Sequence, residues 1–524
     1  MQQMDAELSV TRRHIFSGER LATFSDAVLS IIATFSVLPL KFNREIIEEG
    51  GGYRKFDLEV FLLDQWLRYL VYIYSFALVA DVWYIHSGVF SIVENVNGGI
   101  IWLNLLLLFF ASFVPYATGL ISSYATGLIS SYATSPGPDS EMAAIIICAG
   151  VILLIGLNLI LILGCAFRRQ SLIHPHLVNN NNIRSIKAVV YIGLLIAPVL
   201  SVLTIGFSFL SHQAPWLPLL LFFSILPVSL IVRLVMFVVL TSRKSIERLP
   251  SMIFRAVASK SRTEAFSDGV FAIVATLIVL DLTSEHIPDK DETIELHIAL
   301  YKQRNVFFSY ITTFVVTGLL WFVQYSMFHF LERFTPIMVV ANTCTLLLVG
   351  GIPFAAEILS IFSDESFLTQ AILGPNKVLS IRVFCVLVTL AGLLQLFFWC
   401  VAHYNKSFCM STEIDKKYAE IQMFAKIMII PITGILVYWG TFSKTFNDIY
   451  TILAIVCVLL FLLLKLAITL YSKCCNALKR SGRRSGGSSR VASPANCSIN
   501  QSIMEDDKTA LPLHPREDTH FKFV

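Results

Sequence analysis

Twelve stretches of roughly 20 mostly apolar residues run through this chain, and no other feature narrows its possible folds so far. They lie near 20–40, 66–89, 99–118, 142–166, 187–210, 215–241, 263–282, 306–329, 337–360, 379–403, 420–441 and 447–471. A bilayer core offers no water to backbone N–H and C=O groups, so each stretch must satisfy its own as a helix. With 56% hydrophobic and 15% charged residues among 524, too little polar surface exists to cover a soluble globule. The expected class is an all-α integral membrane protein with twelve transmembrane helices, held in a lipid bilayer.

Residues 1–18 are polar, carry Arg12 and Arg13, and lack the short apolar core of a cleaved signal. Arg168, Arg169, Arg184 and Lys187 follow the fourth stretch, and Arg243, Lys244, Arg248, Arg255 and Lys260 follow the sixth, whereas residues 119–141 carry no Lys or Arg. An excess of Lys and Arg marks cytosolic loops, so both termini are expected in the cytosol. The net charge of +4 reflects that topology, and no nucleic-acid partner is expected. The 10 cysteines show no metal-type spacing, so neither a disulfide framework, a metal nor another cofactor is expected. Cys474 and Cys475, directly after the last stretch, read as plain reduced thiols or as palmitoylation sites.

The chain is also duplicated. Arg20-Leu-Ala-Thr-Phe-Ser-Asp26 opens the first apolar stretch, and Arg262-Thr-Glu-Ala-Phe-Ser-Asp268 opens the seventh. Trp83, Asn104 and Pro115 recur at the same mutual separations as Trp321, Asn342 and Pro353. Two six-span repeats, 20–241 and 262–471, are therefore expected, with a tail at 1–19, a basic linker at 242–261 and a disordered tail at 472–524. Six spans is an even number, so the repeats run parallel, related by an axis along the membrane normal. An exact octapeptide repeat, Tyr116–Ser123 then Tyr124–Ser131, is expected to be an insertion that lengthens the non-cytosolic mouth of the first repeat.

No Gly-Lys-Ser phosphate loop, His-Glu-x-x-His or Gly-x-Ser-x-Gly is present, so an enzyme is not expected. His174 and His176 have no carboxylate or thiol near them in sequence to complete a metal site. In the first span Asp26, Ser30 and Thr34 share one helix face, bordered by Ile31; the second copy has Asp268, Ala272 and Thr276, bordered by Ile273. Hydroxyls interrupted by a bulky aliphatic suit a pore helix, which needs polar contacts and a constriction that is hard to wet. The same hydroxyls can instead bond the preceding turn's carbonyls or pack small interfaces. Arg20, Asp26, Arg262 and Asp268 are expensive in a membrane unless paired, so an interhelical clamp is expected of them. Capping by Ser25 or Asp26 is the simpler alternative. Parallel six-span halves also build secondary transporters, but residues 90–99 hold nothing like the Gly-x-x-x-Asp-Arg/Lys-x-Gly-Arg-Arg loop of that architecture.

The paired Arg-x-x-x-Phe-Ser-Asp motifs, each running into an Ile-rich, Thr-bearing helix, resemble the endolysosomal potassium channel family called transmembrane protein 175. The resemblance covers residues 18–471, and Phe24, Ser25, Phe266 and Ser267 complete its motif. It implies a homodimer in which four first helices, two per chain, surround one pore as a pseudo-tetramer. It further implies a constriction at Ile31 and Ile273, with the hydroxyls of Ser30, Thr34 and Thr276 contributing to selectivity. The implied activity is a potassium leak, with proton permeation, in endosomes and lysosomes. Two departures stand out: Ala272 replaces the hydroxyl of Ser30, and Pro39 faces Asp281.

Overall fold

The computed structural model describes residues 16–40, 56–124, 138–178, 183–210, 216–242, 259–285, 297–298, 301, 304–363, 370–409 and 416–442. All of them lie within one compact unit, Met1–Leu464. The first repeat contains β1 (Phe16–Ser17), α1 (Gly18–Phe35), α2 (Leu58–Asp64), α3 (Trp66–Phe90), β2 (Asn95–Val96), α4 (Gly98–Ser112), α5 (Val114–Tyr124), α6 (Pro138–Arg168), α7 (Pro175–Val178), α8 (Ile183–Leu210) and α9 (Trp216–Ser242). The second contains α10 (Lys260–Glu285), α11 (Arg304–His329), α12 (Pro336–Gly350), α13 (Ile352–Ser363), α14 (Gln370–Tyr404), α15 (Lys406–Cys409) and α16 (Lys416–Gly440).

Ten helical segments among the described residues are long and apolar enough to cross a membrane. The seventh expected stretch is α10, which is not among those ten and carries Lys260, Arg262, Glu264 and Asp268 in its first turns. The twelfth, 447–471, lies outside the described residues, as do residues 243–258 of the linker and the whole C-terminal tail.

Duplication is written into the irregularities as much as into the helices. Stretches three and nine, read from sequence as single helices, each break in two, at Phe113 and at Gly351. Pro115 and Pro353 stand two residues beyond the breaks; a proline has no N–H to give and its ring collides with the carbonyl four residues back. The helices that start these stretches are capped alike, Asn97 accepting from the Ile100 N–H and Thr335 from the Met338 N–H. Gly156 faces Pro198, and Gly392 faces Pro431, with a Cβ at either glycine meeting the proline ring at 2.5 and 2.8 Å. Fourth and fifth spans thus cross closely in both repeats.

The octapeptide expectation needs correcting for its first copy. Helix α5 continues to Tyr124, so Tyr116–Ser123 is helical, with Thr118 and Ser122 buried. Thr118 Oγ1 donates to Ser75 Oγ (3.0 Å), which also bonds Ser36 Oγ (2.9 Å), tying α5 to α3 and to the end of the first span. The second copy lies largely outside the described residues.

At the motif end of α1 a short antiparallel ladder pairs Phe16 with Val96 and Ser17 with Asn95. Gly18 N–H donates to Glu94 O (3.0 Å), and Glu94 N–H donates to Leu172 O (2.9 Å). The second repeat repeats the outer bond, Glu332 N–H to Cys409 O (2.8 Å). Between the repeats, Asn376 accepts from Leu58 N–H (3.3 Å) and donates to Phe56 O (3.0 Å). Among the described residues the most extensive contact between the repeats is α1 against α10, the two helices that carry the motif.

Candidate functional site

Helices α1 and α10 meet along a seam built from opposite edges of the two motif copies. Helix α1 contributes the edge bearing Asp26, Ser30 and Thr34, all fully buried. Helix α10 contributes Arg262, Phe266 and Gly269. Arg262 holds Asp26 through both carboxylate oxygens, Nε to Oδ2 and Nη2 to Oδ1 (2.6 Å). Trp83 Nε1 donates to the same Oδ1 (2.8 Å), and the Phe266 ring stacks on the Trp83 indole with centroids 4.4 Å apart. A two-pronged guanidinium contact plus an indole N–H gives the buried carboxylate the partners it needs in a medium of low polarity.

A second row of bonds backs the first. Arg262 Nη2 lies 3.0 Å from His86 Nδ1, and since a guanidinium only donates, Nδ1 must accept. The imidazole proton is then on Nε2, which donates to Asn104 Oδ1 (2.8 Å); Asn104 Nδ2 donates to Ser25 Oγ (2.9 Å), and Ser25 Oγ to Leu21 O (2.8 Å). Lower on the seam, a Cβ added at Gly269 would collide with Ser30 Oγ. Ser30 turns that hydroxyl to Ala27 O (2.7 Å), and Thr34 turns its own to Ser30 O and Ile31 O.

The second repeat builds the same carboxylate side again. Trp321 Nε1 donates to Asp268 Oδ1 (2.8 Å), Asn342 Nδ2 to Ser267 Oγ (2.8 Å), and Ser267 Oγ to Thr263 O (2.7 Å). Gln324 stands where His86 does and donates from Nε2 to Asn342 Oδ1 (2.7 Å). No arginine reaches Asp268 among the described residues. Asp268, Ala272 and Thr276 are exposed, and Trp321 is 39% exposed. Their complement on α1 is open too: Arg20, Phe24 and Ala27 are exposed, Phe24 by 50% where its counterpart Phe266 is 0%.

Of the four charges expected to form an interhelical clamp, Arg262 and Asp26 pair across the two motif copies, while Arg20 and Asp268 make no ion pair among the described residues. The face of Asp26, Ser30 and Thr34 is the packed side of the seam. Ile31 and Ile273 are half-buried at matching places beside it. Asp281 lies outside the residues whose side chains are described. Sequence reasoning missed His86 and Gln324. Each follows its tryptophan by three residues, on the same helix face, but the two differ in type, so comparing repeats passes over them. Among the described residues no group of His, Cys, Asp and Glu could hold a metal ion.

A family model for the endosomal/lysosomal potassium channel TMEM175 matches residues 20–115 and 262–353, which enclose every seam residue in both repeats and end at the two prolines of the helix breaks. The chain is 28% identical over 483 residues to the Gallus gallus endosomal/lysosomal proton channel TMEM175, covering 88% of this chain and 89% of that one. It is 29% identical over 469 residues to the Homo sapiens protein of the same name, covering 86% of each. A potassium channel of Chryseobacterium sp. (strain P1-3) is 42% identical over 104 residues, 20% of this chain and 48% of that one.

Proposed function

We propose that the chain is a member of the TMEM175 family, which it resembles over most of its length, and a cation channel of endosomal and lysosomal membranes, passing potassium and protons through one pore shared by two copies. The observation that carries the shared pore is the half-used seam. Each chain closes one contact, α1 carboxylate edge on α10 arginine edge, and leaves exposed the two edges that would make the same contact again.

A contact that joins unlike edges closes into a ring if the rotation permits. Two chains about a two-fold axis give the ring α1, α10, α1, α10. In it the partner's Arg20 meets Asp268, the partner's Phe24 covers Trp321, and the partner's Ala27 meets Ala272. The small residues match in kind: Ser30 with Gly269 inside the chain, Ala272 with alanine between chains. This closure also removes two isolated charges from lipid.

Four isoleucines, Ile31 and Ile273 from each chain, then face the axis as a ring that water wets poorly and ions cross only at a narrow point. The hydroxyls of Ser30 and Thr34 bond the backbone, so they act on selectivity by setting how closely neighbouring pore helices approach; Thr276 takes the same place at the second seam. We assign twelve spans in two parallel repeats, with both termini cytosolic.

The test replaces Ile31→Asn and Ile273→Asn together and records currents with potassium on one side and sodium on the other. Conductance is expected to rise and the preference for potassium to fall. An unchanged preference overturns the constriction. Unitary flux above about ten million ions per second separates the channel from a carrier, whose conformational cycle takes microseconds or longer.

A further inference from the structure

The loop joining the fourth and fifth spans occurs once in each repeat, and the two copies treat charge in opposite ways. In the second repeat the loop neutralises itself: Lys406 is ion-paired with Glu420, and His403 lies 4.0 Å from the same carboxylate. In the first repeat Arg168, Arg169 and Arg184 are exposed and Lys187 half-buried, and none is ion-paired among the described residues. No Asp or Glu occurs anywhere between Glu141 and Glu247. Among the described residues the one acid in an ion pair at this loop is Glu94, which faces His174 at 3.7 Å.

An ordinary bias of cations toward the cytosolic side accounts for a few such residues, but both loops share that bias and only one is left unneutralised. Local helix structure does not account for them either, because Arg184 and Lys187 stand in the first turns of α8, where the helix dipole disfavours cations. Helices α6 and α8 pack along each other, which brings Phe167, the neighbour of Arg168 at the end of one, against Lys187 at the start of the other. The Lys187 ammonium lies 4.5 Å over the Phe167 ring, and Phe167 is 6.2 Å from Tyr191. Cations directly above aromatic rings at a span end mark the headgroup level of a bilayer.

We infer that Arg168, Arg169, Arg184 and Lys187 form a binding surface for the multiply phosphorylated headgroup of an anionic lipid in the cytosolic leaflet. Several cations without a carboxylate favour a ligand of several negative charges, and the aromatic floor favours one carrying acyl chains. The inference rests on the orientation proposed above, which puts this loop in the cytosol.

The experiment measures saturable binding of a fluorescent short-chain phosphatidylinositol bisphosphate to the full-length chain in detergent. The variant R168Q/R169Q/R184Q/K187Q is expected to lose binding, K406Q to keep it, and each single substitution to weaken it about five-fold. Binding by the four-fold variant equal to that of the parent overturns the assignment. So does full displacement by a phosphatidylserine analogue, which would mean charge alone, or by soluble inositol trisphosphate, which would mean a free phosphate site. If the four-fold variant elutes as aggregate, the single substitutions decide the matter. Potassium flux in vesicles of phosphatidylcholine alone tests the channel reading separately, since it needs no anionic lipid.

Discussion

Arg262 decides the state of three other side chains at once, because it can only donate. It fills both oxygens of Asp26 and forces His86 to accept at Nδ1, which in turn sets the amide orientation of Asn104. His86→Leu would strand a guanidinium N–H and the Asn104 carbonyl oxygen; a loss of about 1–3 kcal/mol is expected, read as a lower unfolding temperature in detergent. His86→Gln should cost less, since glutamine does the equivalent work at Gln324. Removing the carboxylates should separate the two repeats further. Asp26→Ala leaves the largely covered Arg262 without a carboxylate, a cost of about 3–5 kcal/mol that should appear as loss of folded protein. Asp268→Ala leaves the chain folded and should shift the population toward single chains on light scattering. Equal behaviour of the two variants would mean that the open edge is not used.

Several pairs of helices in this chain approach closely at a glycine, and the seam is the clearest case. Gly269 is required by Ser30 and not by any turn, because a Cβ there would strike the serine hydroxyl. Gly269→Ala alone should therefore destabilise by about 1–3 kcal/mol through overpacking. Combining it with Ser30→Ala should recover part of that loss, since the hydroxyl contact is removed while the Ser30 Cβ still stands 2.9 Å from the new methyl. A double variant no better than the single one would refute this account of the crossing. The breaks at Phe113 and Gly351 belong to the same scale. Each starts a short second helix, and in the first repeat that helix carries Thr118, which bonds Ser75, itself bonded to Ser36.

For the molecule as a whole, the phenylalanines give the most direct check on assembly. Phe24→Arg should leave a folded chain, because the ring is half exposed, but should yield single chains without current. Phe266→Ala should instead lose folded protein, at about 3–5 kcal/mol, because its ring is wholly buried on Trp83. A dimeric Phe24→Arg protein would exclude the proposed ring.

Ten of the twelve expected spans, the loop charges and the recurrence of the motif were legible from the residues alone. They depend on local hydrophobicity, on counts of Lys and Arg, and on identical spacings such as Trp83 to Asn104 and Trp321 to Asn342. The motif could also be read as a clamp, since charges at a span demand partners. What could not be read was which partner. Periodicity puts Asp26, Ser30 and Thr34 on one face, but whether that face looks onto water or onto a neighbouring helix depends on how α1 and α10 cross. That crossing is set by Gly269 against Ser30 and by Phe266 on Trp83, contacts between residues far apart in the chain. Helical periodicity is a property of one segment, while a seam belongs to two, and so the stripe that reads as a lining is, once the helices pack, the edge that holds them together.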